Sequence, residues 1–238
     1  MKTLVSVIAY NEEQNLRNTL RELLDSKGGF DLVVVDNGSS DQTATVARQV
    51  GVPVLSHCVN SGGSMGTVTT YFTFAYQAGY DILCQFDGDG QHMAAELPKV
   101  IEPVRRGEAD YVMGSRFLEK EGFQSTAVRR VGIRLFSWLD SWIVGQTVTD
   151  VTSGFRAYSR SVIEFFGHRF RHEIHDTNQL LLLSHFAGAR ILEVPVRMRE
   201  RVHGESEYDL LNAVAFPFKG LVNIGGVLLQ RQQIQTRR

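Results

Sequence analysis

Residues 81–92 read Asp81-Ile82-Leu83-Cys84-Gln85-Phe86-Asp87-Gly88-Asp89-Gly90-Gln91-His92, and this stretch decides the fold class. Its first half is a short, almost unbroken apolar run, the pattern of a strand covered on both faces. The run stops at Asp87, and Gly88 gives the backbone freedom to aim two carboxylates at one point. Paired hard oxygen donors suit Mg²⁺ or Mn²⁺, whose remaining ligands are typically water and substrate phosphates. A bare D-x-D triplet equally describes a solvated turn. The position at a strand end, with Gln91-His92 directly after, favours a site.

Working outward, further strand candidates are Leu4–Ala9, Leu32–Asp36, Pro53–Ser56 and Asp110–Gly114, with Asp81–Asp87 among them. Helical patterns alternate with them at Asn11–Leu24, Thr43–Val50, Thr67–Ala78 and Ala94–Arg105. Asn11 followed by Gln14 reads as an N-cap with its reciprocal partner. This order calls for an α/β protein with a doubly wound, mostly parallel sheet and helices on both faces. Ligands of such sheets bind beyond the carboxyl ends of the strands. Tyr10, Asn11 and Glu12, then Asp36, then Asp87 and Asp89 all fall at those ends.

Beyond Arg116 the pattern loosens. Residues 117–126 read as a loop, Val128–Val144 as an amphipathic helix, Gly154–Tyr158 and Arg190–Val196 as strands, and Thr177–Phe186 as a helix. Tyr208 to about Leu229 reads as a helical segment bent near Pro217 and loosened at Gly225-Gly226. With no repeat and no linker, we expect one domain over 1–206 and an amphipathic helical segment over 207–238. That segment suits a bilayer interface or a membrane-protein partner, and equally a dimer face or plain core.

The chain has 238 residues, 43% of them hydrophobic, and a formal net charge of −1. Its charged content of 21% with fourteen Phe excludes a disordered chain. The near-neutral total hides six bases against twelve acids in residues 1–104 and nineteen against fourteen in 105–238. The balance argues against a general nucleic-acid binder. Twenty Arg to five Lys agrees with anion recognition, because a guanidinium meets phosphate bidentately. Cys58 and Cys84 lack metal-type spacing and read as small buried hydrophobes of a reducing compartment. No secretory signal precedes the first strand and no run of 18 apolar residues occurs, so a cytoplasmic protein is expected, at most peripheral on a membrane.

Rival nucleotide and hydrolase readings lack their motifs. No G-x-G-x-x-G follows the first strand, no P-loop occurs, and no G-x-S-x-G elbow is present. Gly62-Gly63-Ser64-Met65-Gly66 reads as a loop opening a helix. In Asp36-Asn37-Gly38-Ser39-Ser40-Asp41, Asp41 suits a cap for the helix at Thr43. Asp36 suits an acceptor for a nucleobase or ribose.

Together, Val7-Ile8-Ala9-Tyr10-Asn11-Glu12-Glu13, Val34-Val35-Asp36-Asn37-Gly38-Ser39-Ser40-Asp41, Asp87 to His92, Gly114-Ser115-Arg116 and Asp150-Val151-Thr152-Ser153-Gly154-Phe155-Arg156 resemble a family 2 glycosyltransferase of the GT-A fold. The likeness is to the branch that serves dolichyl or polyprenyl phosphates with mannose or glucose, and it spans residues 4 to about 206. It implies inverting transfer from a nucleotide-diphosphate sugar, with Mg²⁺ or Mn²⁺ on the diphosphate. Asp87, Asp89 and Gln91 would hold the metal, and Asp89 counts as catalytic through it. Tyr10, Glu12, Asp36 and Asp87 would form the donor pocket.

By the same resemblance, Arg116, Arg130 and Arg134, with Arg129 beside them, would hold the acceptor phosphate. Arg197, Arg201, Gly204 and Ser206 resemble the family's R-x-x-G-x-S segment, with Arg201 closing over the donor diphosphate. Asp176 lies where the family carries an acidic pair and is the candidate base; a plain helix cap is the competing role. His172 and His175 have no metal-site pattern around them. The sequence departs from the family at Ala9 (usually Pro), Asn37 (usually Asp), Asn178 (usually acidic) and Glu207 (usually basic). The resemblance implies a polyprenyl-phosphate acceptor at the cytoplasmic membrane face. Two rivals stand beside it: transfer to a hydroxyl of a cell-surface polysaccharide or lipid-linked glycan, and a silent nucleotide-sugar binding protein. A small membrane-protein partner and a homo-oligomer remain compatible with the C-terminal segment.

Overall fold

The computed structural model describes residues 1–26, 28–61, 64–119, 127–170, 174, 176–204 and 210–236. Seven strands form one sheet: β1 (Thr3–Ala9), β2 (Asp31–Asp36), β3 (Val54–Ser56), β4 (Ile82–Asp87), β5 (Tyr111–Ser115), β6 (Arg156–Ser159) and β7 (Ile191–Pro195). Their spatial order is β3-β2-β1-β4-β6-β5-β7. All neighbours run parallel except β6, which is antiparallel to both β4 and β5. The sheet is therefore the expected mostly parallel one, with a single reversed strand inserted in it.

Every residue of β1 is buried, because helices cover both faces. Val5, Val7 and Ala9 point to the layer built by α1 (Leu16–Asp25), α2 (Thr43–Val50) and α4 (Leu97–Arg105). Leu4 and Ile8 point to the opposite layer, with α3 (Val68–Gln77), α5 (Ala127–Val144), α6 (Arg160–Glu164), α7 (Thr177–Phe186) and α8 (Leu210–Thr236). Alternate side chains of one strand thus serve two cores.

Several local expectations change. The first helix begins at Leu16, not Asn11. Asn11 takes a left-handed φ of 53°, and its Oδ1 accepts the Ser40 N–H at 2.9 Å, so it ties two loops together instead of capping. The last helix runs unbroken through Pro217 and Gly225-Gly226 to Thr236. A short helix, α6, and a π-helical turn over Phe165–Arg169 stand where the sequence pattern gives no helical signal. Cys84 is buried as expected, but Cys58 is exposed. No helix among the described residues is long and apolar enough to cross a membrane.

Candidate active site

The carboxyl ends of β1, β2 and β4 lie side by side, and parallel register brings Ala9 beside Asp36 and Ile8 beside Asp87. Polar side chains lace the loops beyond them. The Glu12 N–H donates to Thr43 Oγ1 at 2.8 Å and the Asn11 N–H to Ser39 Oγ at 2.9 Å. Asp41 Oδ1 accepts the Thr43 N–H at 2.9 Å, so it fastens the start of α2 as expected. Asp36 is buried, with Oδ1 accepting the Ser39 N–H at 3.1 Å.

Four charged residues from three distant segments converge. Arg201 Nη2 sits 2.8 Å from Asp89 Oδ2 and 3.1 Å from Glu12 Oε1. Asn15 Nδ2 donates to the other Glu12 oxygen at 2.7 Å. Burial pushes the Glu12 carboxyl up to about 7, against the lowering pull of Asn15 and Arg201. Burial also raises Asp87, with Asp89 adding to it and Arg201 opposing. The segment carrying Arg201 lies across the Asp89 loop: the Arg199 N–H donates to Gln91 O at 2.8 Å, and Met198 bridges to His92. Its outer side is pinned to α1 by the Arg199–Glu22 ion pair and by Asn15 Nδ2 donating to His203 O.

Two groups close on the Asp87 carboxylate. The His92 Nε2 lies 3.5 Å from Asp87 Oδ2. A Cβ on Gly154 would stand 2.5 Å from that same oxygen, so any larger residue there would displace the carboxylate. Asp87 and Asp89 suit a hard divalent cation. Among the described residues no group of three His, Cys, Asp or Glu could hold an ion unaided. Such a donor set leaves coordination positions for substrate phosphates and water, the habit of Mg²⁺ and Mn²⁺ sites. Gln91 adjoins them, its backbone N–H donating to Asp89 Oδ1 at 3.0 Å and its Nε2 to Arg199 O at 3.4 Å.

The remaining candidates separate. Arg116 is buried, its Nε and Nη2 meeting both Asp150 oxygens at 2.6 and 2.7 Å. Asp150 is in turn placed by Glu193, which accepts the backbone N–H of Thr149 and Asp150. Arg130 and Arg134 lie a turn apart on α5, Arg134 exposed, and neither forms an ion pair among the described residues. Asp176 caps α7: Oδ1 accepts the Gln179 N–H at 2.6 Å, and Oδ2 accepts from Asn223 of α8. Tyr10 is half-buried at the end of β1. The Arg129 side chain, His172, His175, Ser206 and Glu207 lie outside the described residues. Gly154 and His92 both stand inside motifs that the sequence singles out, but it assigns neither a role, because each acts on Asp87 through space.

The glycosyl transferase family 2 profile matches residues 4–167, well over half the chain. The chain belongs to glycosyl transferase family 2. It is 32% identical over 224 residues to the undecaprenyl-phosphate mannosyltransferase of Micrococcus luteus, covering 87% of each chain. It is 29% identical to the UDP-N-acetylglucosamine–dolichyl-phosphate N-acetylglucosaminyltransferase of Methanococcus voltae, covering 79% of this chain and 82% of the other. The glucosyl-3-phosphoglycerate synthase of Mycobacterium tuberculosis, solved with Mn²⁺ and UDP-glucose, superposes with a TM-score of 0.70 at 20% identity, over 95% of this chain and 78% of that one. The expected GT-A fold is therefore observed, and this family 2 member is a glycosyltransferase.

Proposed function

We propose that this glycosyltransferase moves a sugar, with inversion, from a nucleoside-diphosphate sugar to a polyprenyl phosphate at the cytoplasmic face of a membrane. The observation that carries the donor half is the convergence of Asp87, Asp89, Glu12 and Arg201 beyond the carboxyl ends of β1 and β4. A divalent ion on Asp87 and Asp89 would neutralise charge on the leaving diphosphate. Asp36, buried at the end of β2, offers a carboxylate to ribose or base, with Tyr10 at the end of β1. Arg201 stands where it can turn from Asp89 to the diphosphate.

For the acceptor, a phosphate is already ionised at neutral pH and needs no strong base, whereas a hydroxyl does. Both Asp176 oxygens are engaged in capping α7 and bonding Asn223, which favours the phosphate reading over the hydroxyl one. Arg134, Trp138 and Trp142 fall at four-residue spacing along α5, one exposed stripe of a cation and two tryptophans 66% and 78% exposed. Cation plus aromatic is the composition that settles at a lipid headgroup layer. On α8, Leu221, Val222 and Leu229 are also exposed. The relatives in Micrococcus luteus and Methanococcus voltae, named for undecaprenyl and dolichyl phosphate, support the same acceptor class.

The direct test incubates wild-type and Asp87→Ala protein with a panel of nucleotide-sugars, Mn²⁺ and a short polyprenyl phosphate. Transfer to the lipid by wild type and its loss in the variant is the expected result; undiminished transfer by Asp87→Ala sinks the metal assignment. Asp176→Asn separates the acceptors, since near-complete loss points to a hydroxyl and a modest loss to a phosphate.

A further inference from the structure

We propose that His92 is a positioning residue for the Asp87 carboxylate, one jaw of a clamp whose other jaw is Gly154. The proposal rests on the donor and metal role assigned to Asp87 above. The backbone N–H of Asp87 donates to His92 Nδ1 at 3.0 Å. A nitrogen that accepts carries no proton, so in the neutral ring the hydrogen sits on Nε2. That Nε2 faces Asp87 Oδ2 at 3.5 Å, and one imidazole thus addresses both the backbone and the side chain of the same residue. The separation is longer than a strong hydrogen bond, so the contact steers the carboxylate while leaving its lone pairs open to another ligand.

The ring itself has little freedom. It is 3% exposed, stacks on Phe155 at 4.8 Å and 18°, and meets Phe86 edge-on at 5.2 Å. Phe155 is held in its turn, its carbonyl accepting the Gly114 N–H at 2.9 Å and its N–H donating to Ser153 Oγ at 3.2 Å. The same Ser153-Gly154-Phe155 turn therefore orients the imidazole and walls the carboxylate, where Gly154 leaves no space for a Cβ unless Asp87 moves. Aromatic packing alone explains a flat ring at position 92, and phenylalanine supplies that equally well. Only the two nitrogen contacts require histidine.

That distinction sets the experiment. Mn²⁺ binding is read by electron paramagnetic resonance in the presence of UDP, with GDP in a parallel series, alongside thermal unfolding. His92→Phe keeps the packing, so its melting temperature stays within a few degrees of wild type while Mn²⁺ affinity falls at least tenfold. His92→Gln restores an N–H toward Asp87 and recovers affinity to within about threefold of wild type. Long-range ¹H–¹⁵N correlation on the wild-type protein shows Nδ1 unprotonated and Nε2 protonated. Wild-type Mn²⁺ affinity in His92→Phe, or a proton on Nδ1, overturns the proposal. If His92→Phe does not fold, His92→Gln and the tautomer decide, and a Gln variant as weak as one lacking Asp87 counts against the clamp. Wild-type protein that binds neither Mn²⁺ nor nucleotide while showing the stated tautomer refutes the proposed function and leaves the His92–Asp87 contact standing as architecture alone.

Discussion

Removing the Asp150 carboxylate gives the sharpest test of how the second half of the chain is held. Arg116 and Asp150 face each other with side chains 8% and 0% exposed, joined by two guanidinium bonds and by the Arg116 N–H. Asp150→Ala removes the carboxylate that Arg116 meets through its Nε, its Nη2 and its backbone N–H. Breaking a buried pair from one side costs about 3–5 kcal/mol. For a chain of this size each kcal/mol lowers the melting temperature by roughly 2–4 °C, so a fall of about 6–20 °C is expected. Calorimetry and urea unfolding measure it. The doubly apolar Arg116→Met/Asp150→Leu chain should recover most of the loss, since both desolvation costs vanish together. Phosphate should restabilise Asp150→Ala more than wild type, because an anion can then take the place of the Asp150 carboxylate on the guanidinium. A single variant within about 1 kcal/mol of wild type would show that the pair is not load-carrying and refute the reasoning from burial.

Four further outcomes follow from the geometry. Gly154→Ala puts a Cβ 2.5 Å from Asp87 Oδ2, about 0.9 Å inside ordinary contact, so Mn²⁺·nucleotide affinity should drop tenfold or more with little change in melting temperature; equal affinity would mean that the carboxylate moves at no cost. Arg201→Ala removes a cation from Asp89, so binding of Mn²⁺ alone should strengthen while nucleotide-sugar affinity weakens, both by calorimetric titration; weaker Mn²⁺ binding contradicts this. Asp140 is buried on α5 with neither oxygen hydrogen-bonded among the described residues, and burial lifts it to about 8. Folding then favours its neutral form, so wild-type stability falls as pH rises from about 4 to 8, and Asp140→Asn should gain on the order of 4 kcal/mol at pH 7; urea curves at pH 5 and 8 check the sign, and a variant less stable than wild type at pH 8 rejects it. Trp138→Ser/Trp142→Ser should lose flotation with anionic vesicles while keeping soluble nucleotide binding, and unchanged flotation removes α5 from the membrane contact.

The strands were legible because runs such as Leu4–Ala9 are apolar on both faces, a pattern few other elements share. The strand-end acids followed from topology, so Glu12, Asp36, Asp87 and Asp89 were named from sequence, and Arg201 from the family resemblance. What stayed hidden was long-range. Asn11 carries the local signature of a cap, yet its partner is Ser40, 29 residues away. Nothing in Arg156–Ser159 encodes that this four-residue strand runs backwards between β4 and β5. The proximity of Gly154 to Asp87, and of Asp140 to buried Arg156, depends on that insertion and has no one-dimensional trace. Exposure of Cys58 likewise reflects its loop, where composition favours burial.

The reversed strand also sets an order of assembly. Residues 3–87 supply β1 to β4, which pair with one another without help from later chain. β5 is made next but has no seat beside β4, because β6 occupies that place and arrives more than forty residues afterwards. Non-local pairing of this kind closes late, since loop entropy is spent before the contacts return it. The Ser153-Gly154-Phe155 turn enters with β6, so Asp87 can be synthesised, folded into its strand and still lack its final orientation. A chain interrupted before residue 160 would hold strand-end acids with no finished centre, and chemical competence would appear only once β6 has entered between β4 and β5 and the Arg201 segment has crossed the Asp89 loop.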